Sequence, residues 1–314
     1  MIIYLAPIRG ITDSIYRNTF MTYFGGIHLA IAPFVTTVQG NTIKPSHIKD
    51  LVPEQNQSLP IIPQILSNDP KQFILLCRCL YDIGYQDINW NLGCPFPMVA
   101  NKQRGSGLLP FPERIQSFLD QVITKIDSRL SIKTRLGRFH RQELDALIPI
   151  WNTYPISEII IHARTGIQMY EGQVDLDAFK HAANCITHPV VYNGDILTYQ
   201  DFIHYQTQMP TITRWMIGRG LLMNPFLANI IQSNGTLPDN PIPIFKAFHD
   251  DLFIQYEKRL YGASHILGKM KGLWNYFINF FSDSKRQLKN IHKSHTISAY
   301  FTSVDSVWNG CNSI

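Results

Sequence analysis

The 314-residue chain has no run of about 18 apolar residues, so nothing in it reads as a bilayer-spanning helix. Its opening, Met1-Ile2-Ile3-Tyr4-Leu5, is too short for the apolar core of a secretion signal and lacks a basic flank. Cysteine is scarce: Cys77, Cys79, Cys94, Cys185 and Cys311 show no paired spacing, no CxxC and no Cys/His set at zinc spacing. An odd thiol count without a signal points to a reducing compartment. These absences predict a soluble cytoplasmic protein with no disulfide scaffold, no metal and no membrane contact. No repeat or low-complexity tract occurs, and 45% hydrophobic with 12% aromatic residues excludes a disordered chain. Nothing implies a stable protein partner, and a monomer is expected.

What is present is a rhythm. Short β-rich apolar runs fall at 2–5, 29–32, 61–65, 87–91, 130–133, 159–161, 190–192 and 215–217. Helical patterns lie between them, as over 70–83, 112–126 and 199–206. Eight such alternations in the first 235 residues predict an α/β chain with a (β/α)8 TIM barrel. A doubly wound sheet is the competitor. It more often shows a glycine-rich fingerprint after its first strand, and Ala6-Pro7-Ile8-Arg9-Gly10 is not one.

Residues 233–243 are rich in turn formers and read as a linker. Beyond it, 244–260 and 263–281 have helical periodicity, two shorter helices follow, and a small all-α bundle over 241–314 is expected. This segment carries nine basic residues against five acidic ones, four of the chain's five net positive charges. Such a basic patch is either a footprint for nucleic acid or a solvated helical surface.

The ends of the proposed strands hold the chemistry. Pro7, Ile8 and Arg9 follow the first, Gln64 ends the third, and Asn91 and Cys94 follow the fourth. Lys133 and Arg135 come from the fifth, His162 and Arg164 from the sixth, Asn193, Gly194 and Asp195 from the seventh, and Gly218, Arg219 and Gly220 from the eighth. Barrel enzymes keep their active sites on that face, often with a phosphate beside the last two strands. Singly these residues are bland: a buried small cysteine, a structural histidine, a turn at Asn193-Gly194. It is their recurrence at one topological position that predicts a site. Lysine, a glutamine amide and a glycine/arginine phosphate site suit a ring with carbonyls and a phosphate tail, as in FMN. A thiol with a pKa of about 8.5 can give a proton near neutral pH.

The motifs resemble the tRNA-dihydrouridine synthases. Leu5-Ala6-Pro7-Ile8-Arg9-Gly10-Ile11-Thr12-Asp13 is similar to that family's opening, with Arg9 where an acidic residue is usual. Asn91-Leu92-Gly93-Cys94-Pro95 followed by Gly105-Ser106-Gly107-Leu108-Leu109, then Lys133-Thr134-Arg135-Leu136-Gly137, resemble its next signatures. His162-Ala163-Arg164-Thr165 through Tyr170-Glu171-Gly172, Asn193-Gly194-Asp195 and Gly218-Arg219-Gly220 with Asn224-Pro225 complete the series, with Ala163 in place of a glycine. The resemblance implies FMN as cofactor, NADPH as reductant and a tRNA uridine as substrate. It implies FMN contacts at Pro7, Ile8, Arg9, Gln64, Lys133, His162, Asn193, Gly194, Asp195, Gly218 and Arg219. Cys94 would donate a proton and Asn91 would orient the base. Lys102, Arg104, Arg135 and Arg164 are the further expected substrate or RNA contacts. Three rivals stand beside this reading: the same chemistry on ribosomal RNA, a small-molecule FMN barrel oxidoreductase, and a non-catalytic RNA-binding barrel.

Overall fold

The structure, a computed structural model, describes residues 1–282 and 284–310. Asp283, counted above among the acidic residues of the tail, Cys311 and the rest of 311–314 lie outside the described residues.

One sheet of parallel strands organises the molecule. The strands are β1 (Ile2–Leu5), β2 (Leu29–Ile31), β3 (Val35–Thr36), β4 (Ile61–Ile62), β5 (Gln64–Leu66), β6 (Asp87–Leu92), β7 (Arg129–Gly137), β8 (Ile156–Thr165), β9 (Val190–Asn193) and β10 (Arg214–Ile217). All eight expected positions are strands, and the fold is TIM-barrel-like. The third expected strand is broken in two at Pro63, which has no N–H to give to a ladder. Its halves face opposite neighbours: β4 pairs with β2, and β5 with β6. One interrupted strand therefore bridges the two ends of the sheet. The short β3, which the sequence pattern does not announce, pairs with β5.

β7 and β8 run past their expected ends. Their ladder continues through Arg135 opposite His162 and Gly137 opposite Thr165, with a register shift between. Lys133, Arg135, His162 and Arg164 thus lie within strands, not beyond them. Strand side chains alternate between faces. Asn89 and Asn91 of β6 point into the barrel, while Trp90 points out and stacks on Phe118, ring centroids 4.0 Å apart. At the opposite end the interior is closed by Glu158, which accepts from the Tyr4 hydroxyl and from Arg214, each at 2.8 Å. The filled interior leaves one open end.

Outer helices start where their caps dictate. Asp69 accepts from the Lys71 and Gln72 N–H groups ahead of helix Pro70–Asp82, with proline at its first position. Thr198 and Asp201 form a reciprocal capping box on helix Tyr199–Gln208.

Four helices follow the barrel: Pro241–Arg259, Ala263–Phe277, Lys285–Lys293 and Ile297–Gly310. The first starts three residues before its expected beginning because prolines fit a helix's first turn. The second ends before its expected end, passing into a tight 3-10 turn at Ile278–Phe280. Their core is continuous with the barrel's. Phe24, at the end of barrel helix Ser14–Tyr23, packs edge-on against Phe226 at 4.9 Å and Phe248 at 4.8 Å. Asp13, the N-cap of that helix, is gripped from the bundle by the Tyr256 hydroxyl at 2.8 Å and by Lys269 Nζ at 2.6 Å.

Candidate active site

A cavity of about 800 Å³ opens at the C-terminal end of the barrel strands, the face where such barrels hold their chemistry. Strand register builds its floor. Asn91 lies opposite Lys133, and Arg135, His162 and Asn193 form a cross-strand row. All five line the cavity, together with Pro7, Ile8, Arg9, Gln64, Cys94, Gly194, Gly218 and Arg219. Thirteen of the expected site residues therefore line one cavity.

Polar contacts fix this floor. Lys133 Nζ donates to Asn193 Oδ1 at 2.8 Å, and Asn193 Nδ2 donates to the Met216 carbonyl at 2.9 Å. Asn91 Nδ2 donates to Gln64 Oε1 at 2.7 Å, Gln64 Nε2 to Asn89 Oδ1 at 2.7 Å, and Asn89 Nδ2 to Ser131 Oγ at 2.9 Å. Asn91 Oδ1 accepts the Gly93 and Cys94 N–H groups at 3.1 and 2.9 Å. Asn91 thus shapes the turn that carries Cys94. Gly194 is required sterically, since a Cβ there would lie 2.1 Å from the Tyr192 hydroxyl oxygen. Gly220 is explained by packing rather than by a ligand, because its Cβ would meet the Ile196 carbonyl oxygen at 2.1 Å.

Four expected contact residues stand elsewhere. Arg164 and Asp195 are absent from the cavity lining and pair with each other through both carboxylate oxygens. Arg164 is 1% exposed and also donates to the Glu171 and Gly172 carbonyls. Asp195 also accepts from Arg219 at 2.7 Å. A buried cation needs such a partner, and this pair lies outside the cavity lining. Lys102 is exposed, and Arg104 donates to Asn68 Oδ1 at 3.1 Å; neither reaches the cavity.

Sequence motifs missed the mouth. Phe34, Phe96, Met98 and Tyr276 line it. Arg9 lies over the Phe34 ring at 5.5 Å, and Tyr170 sits between Arg135 at 5.5 Å and Arg219 at 5.2 Å. Tyr170 belonged to a quoted motif, and Phe96-Pro97-Met98 follows the Cys94 turn directly, so both carried a signal. Tyr276 comes from bundle helix Ala263–Phe277, and only the docking of that helix brings it here.

The electrostatics are one-sided. Arg9, Lys133, Arg135 and Arg219 line the cavity, and no Asp or Glu does among the described residues. Burial, then the Arg135 charge, lowers Lys133 to about 7. Burial lowers Arg135 to about 10 and holds His162 well below the ordinary histidine range, with Arg135 and Lys133 adding to the latter effect. Burial pushes the Cys94 thiol up, against the Phe96 N–H and the charges of Arg135, Arg9 and Lys133.

A parallel barrel with a cationic chamber at its C-terminal end and a cysteine in the chamber wall defines a TIM-barrel enzyme. Among solved structures, the old yellow enzyme homologue from Zymomonas mobilis superposes with a TM-score of 0.55 at 11% identity, over 75% of this chain and 89% of that one. Morphinone reductase in complex with tetrahydroNAD gives 0.53 at 8%, over 77% and 89%. At such identities these likenesses speak for the fold alone. Sequence is more specific. The chain is 28% identical over 237 residues to the tRNA-dihydrouridine synthase B of Pasteurella multocida, covering 74% of this chain and 69% of that protein. It is 26% identical over 248 residues to the one from Vibrio vulnificus, covering 77% and 76%. The dihydrouridine synthase (Dus) family model matches residues 4–298, and the chain belongs to that family.

Proposed function

We propose that this protein reduces uridines of tRNA to 5,6-dihydrouridine, with FMN in the barrel mouth and NADPH as reductant. The observation that carries the reading is the chamber itself: Cys94 on the wall of a cavity lined by cations and amides and free of carboxylates among the described residues. That donor set fits FMN. Gln64 and Lys133 suit ring carbonyls, while Arg219, His162 and the side-chain-free Gly194 and Gly218 suit a phosphate-bearing tail. Pro7, Ile8, Arg9 and Asn193 complete the contacts. Asp195 acts one step back, holding Arg219 in place.

When bound, that cofactor supplies a hydride for uracil C6 and is restored by NADPH. The chain's own residues do the rest. Cys94 Sγ–H gives its proton to C5, and a thiol whose pKa is pushed up by burial stays protonated to do so. Lys133 and Arg135 stabilise negative charge developing on the pyrimidine carbonyls in a water-poor pocket. Asn91 holds the Cys94 turn. The target base must leave its stack, so the aromatic mouth of Phe34, Phe96, Tyr170 and Tyr276 would take its faces. Tyr276 apart, the division of labour follows the chain: 1–235 for the reaction, and 241–314, with Lys102 and Arg104, for gripping phosphates.

The test is an unmodified tRNA transcript incubated with purified protein, FMN and NADPH, with dihydrouridine read by mass spectrometry. Deletion of the gene should remove specific dihydrouridines from cellular tRNA. Loss from ribosomal RNA alone, or turnover of free pyrimidines without RNA, would sink the proposal.

A further inference from the structure

We propose that Arg138, acting with Ser106, is a positioning residue for Cys94: it fastens the loop that presents the thiol to the chamber. The inference rests on the reading above only in taking Cys94 as the proton donor. Every main-chain carbonyl of Gly93-Cys94-Pro95 accepts a side-chain donor. Arg135 Nε reaches the Gly93 carbonyl at 3.1 Å, Ser106 Oγ the Cys94 carbonyl at 3.1 Å, and Arg138 Nη1 the Pro95 carbonyl at 2.9 Å. The Ser106 N–H adds a second bond to the Cys94 carbonyl at 3.0 Å. With both N–H groups held by Asn91 and none on Pro95, no main-chain group of this turn is left to water.

Arg138 is itself held from behind. Glu143 accepts the Arg138 N–H at 2.6 Å and the Phe139 and His140 N–H groups at 3.0 and 3.2 Å, which fixes the turn after β7. The Ile167 N–H bonds the Arg138 carbonyl at 3.0 Å. Two glycines make the room. A Cβ on Gly166 would lie 2.8 Å from Ser106 Oγ and 3.0 Å from Arg138 Cδ. Gly105 has φ +56°, and its Cβ would lie 2.9 Å from that of Cys94. Arg138 does not line the cavity, so it touches neither base nor cofactor there. Its effect must pass through the loop. A proton donor displaced by about 1 Å forfeits about a hundredfold in rate, and beyond the stiffness of Pro95 these bonds are what hold the carbonyl side of Cys94.

Arg138→Ala should therefore lower kcat by about a hundredfold and leave KM for RNA within about threefold. Arg138→Lys keeps a donor for the Pro95 carbonyl and should recover most of the loss; Ser106→Ala should shift kcat in the same direction, more weakly. A second readout needs no RNA. Iodoacetamide should alkylate Cys94, followed by peptide mass spectrometry, several-fold faster in Arg138→Ala than in the parent protein, where the residue is 8% exposed. If Arg138→Ala fails to fold, Arg138→Gln and Ser106→Ala carry the same comparison. Parent-like kcat with parent-like alkylation overturns the proposal. So does a change confined to KM, which would make Arg138 an RNA contact. If the parent protein forms no dihydrouridine at all, the functional reading fails while the alkylation rates still decide whether Arg138 restrains the loop.

Discussion

Lys133 is buried in a chamber whose lining also holds Arg9, Arg135 and Arg219 and, among the described residues, no carboxylate. Its pKa is lowered to about 7 by burial and by Arg135. In the unfolded chain it would titrate near 10.4, so between those values the unfolded state binds more protons and stability rises with pH. In protein freed of flavin, Lys133→Met should therefore raise the unfolding temperature most at pH 6–7. The gain should shrink toward pH 10, as thermal melts across that range would read. The same variant should lose flavin, visible as absent yellow colour after gel filtration. Cys94 is shifted the opposite way for a group of the opposite charge type, by the same burial. Cys94→Ala should cut dihydrouridine formation by at least about a hundredfold while the purified protein stays yellow. In the parent, the alkaline fall of the single-turnover rate should begin above the ordinary thiol range. A fall starting below pH 8 belongs to Lys133 if it moves in Lys133→Arg, and counts against Cys94 as the acid if it does not. These residues were legible in the sequence because each belongs to, or directly follows, a β-rich run beside a recognisable motif. Arg164 and Asp195 looked equally eligible. Nothing in a linear string says that two such groups will neutralise each other behind the wall.

Elements were legible where local chemistry alone decides them. Short β-rich runs marked the eight strand positions, and the helical patterns over 70–83, 112–126 and 199–206 fall on helices. Strand length was not legible in β7 and β8, because it depends on how far two chains continue to pair across a bulge. Nor was the break at Pro63, whose halves part only because each has a different neighbour. The contact between barrel and bundle is likewise tertiary, and Asp13 is its focus. This carboxylate caps helix Ser14–Tyr23 at the Tyr16 N–H and accepts from Tyr256 and Lys269. Asp13→Ala should cost about 1–3 kcal/mol in urea denaturation, the sum of a lost cap and a lost half-buried pair. Asp13→Asn keeps the capping oxygen and should cost markedly less. Equal losses would mean that the charge, not the cap, is what matters.

At the scale of the whole molecule, the basic surplus of the tail divides in two. Lys246 pairs with Asp250, Arg259 donates to Ser14, Lys269 to Asp13, and Lys271 to the His292 and Ser294 carbonyls. These charges serve the fold. Lys258, Lys285, Arg286, Lys289 and Lys293 are exposed, and of these Lys285, Lys289 and Lys293 are spaced four apart on helix Lys285–Lys293, so they share one face. Replacing all three by alanine should weaken tRNA binding and reduce the slope of log affinity against log salt by about 2–3. Fluorescence anisotropy over a salt series would read both. An unchanged slope would move the RNA grip elsewhere. Tyr276 gives the bundle a second part. The segment that would hold the RNA also supplies a panel of the reaction chamber and a clamp on the loop after β1. Tails exchanged between relatives to redirect which nucleotide is modified would alter the chamber at the same stroke. A chimera's turnover and its choice of substrate should therefore change together, and selection for one would have to act on both.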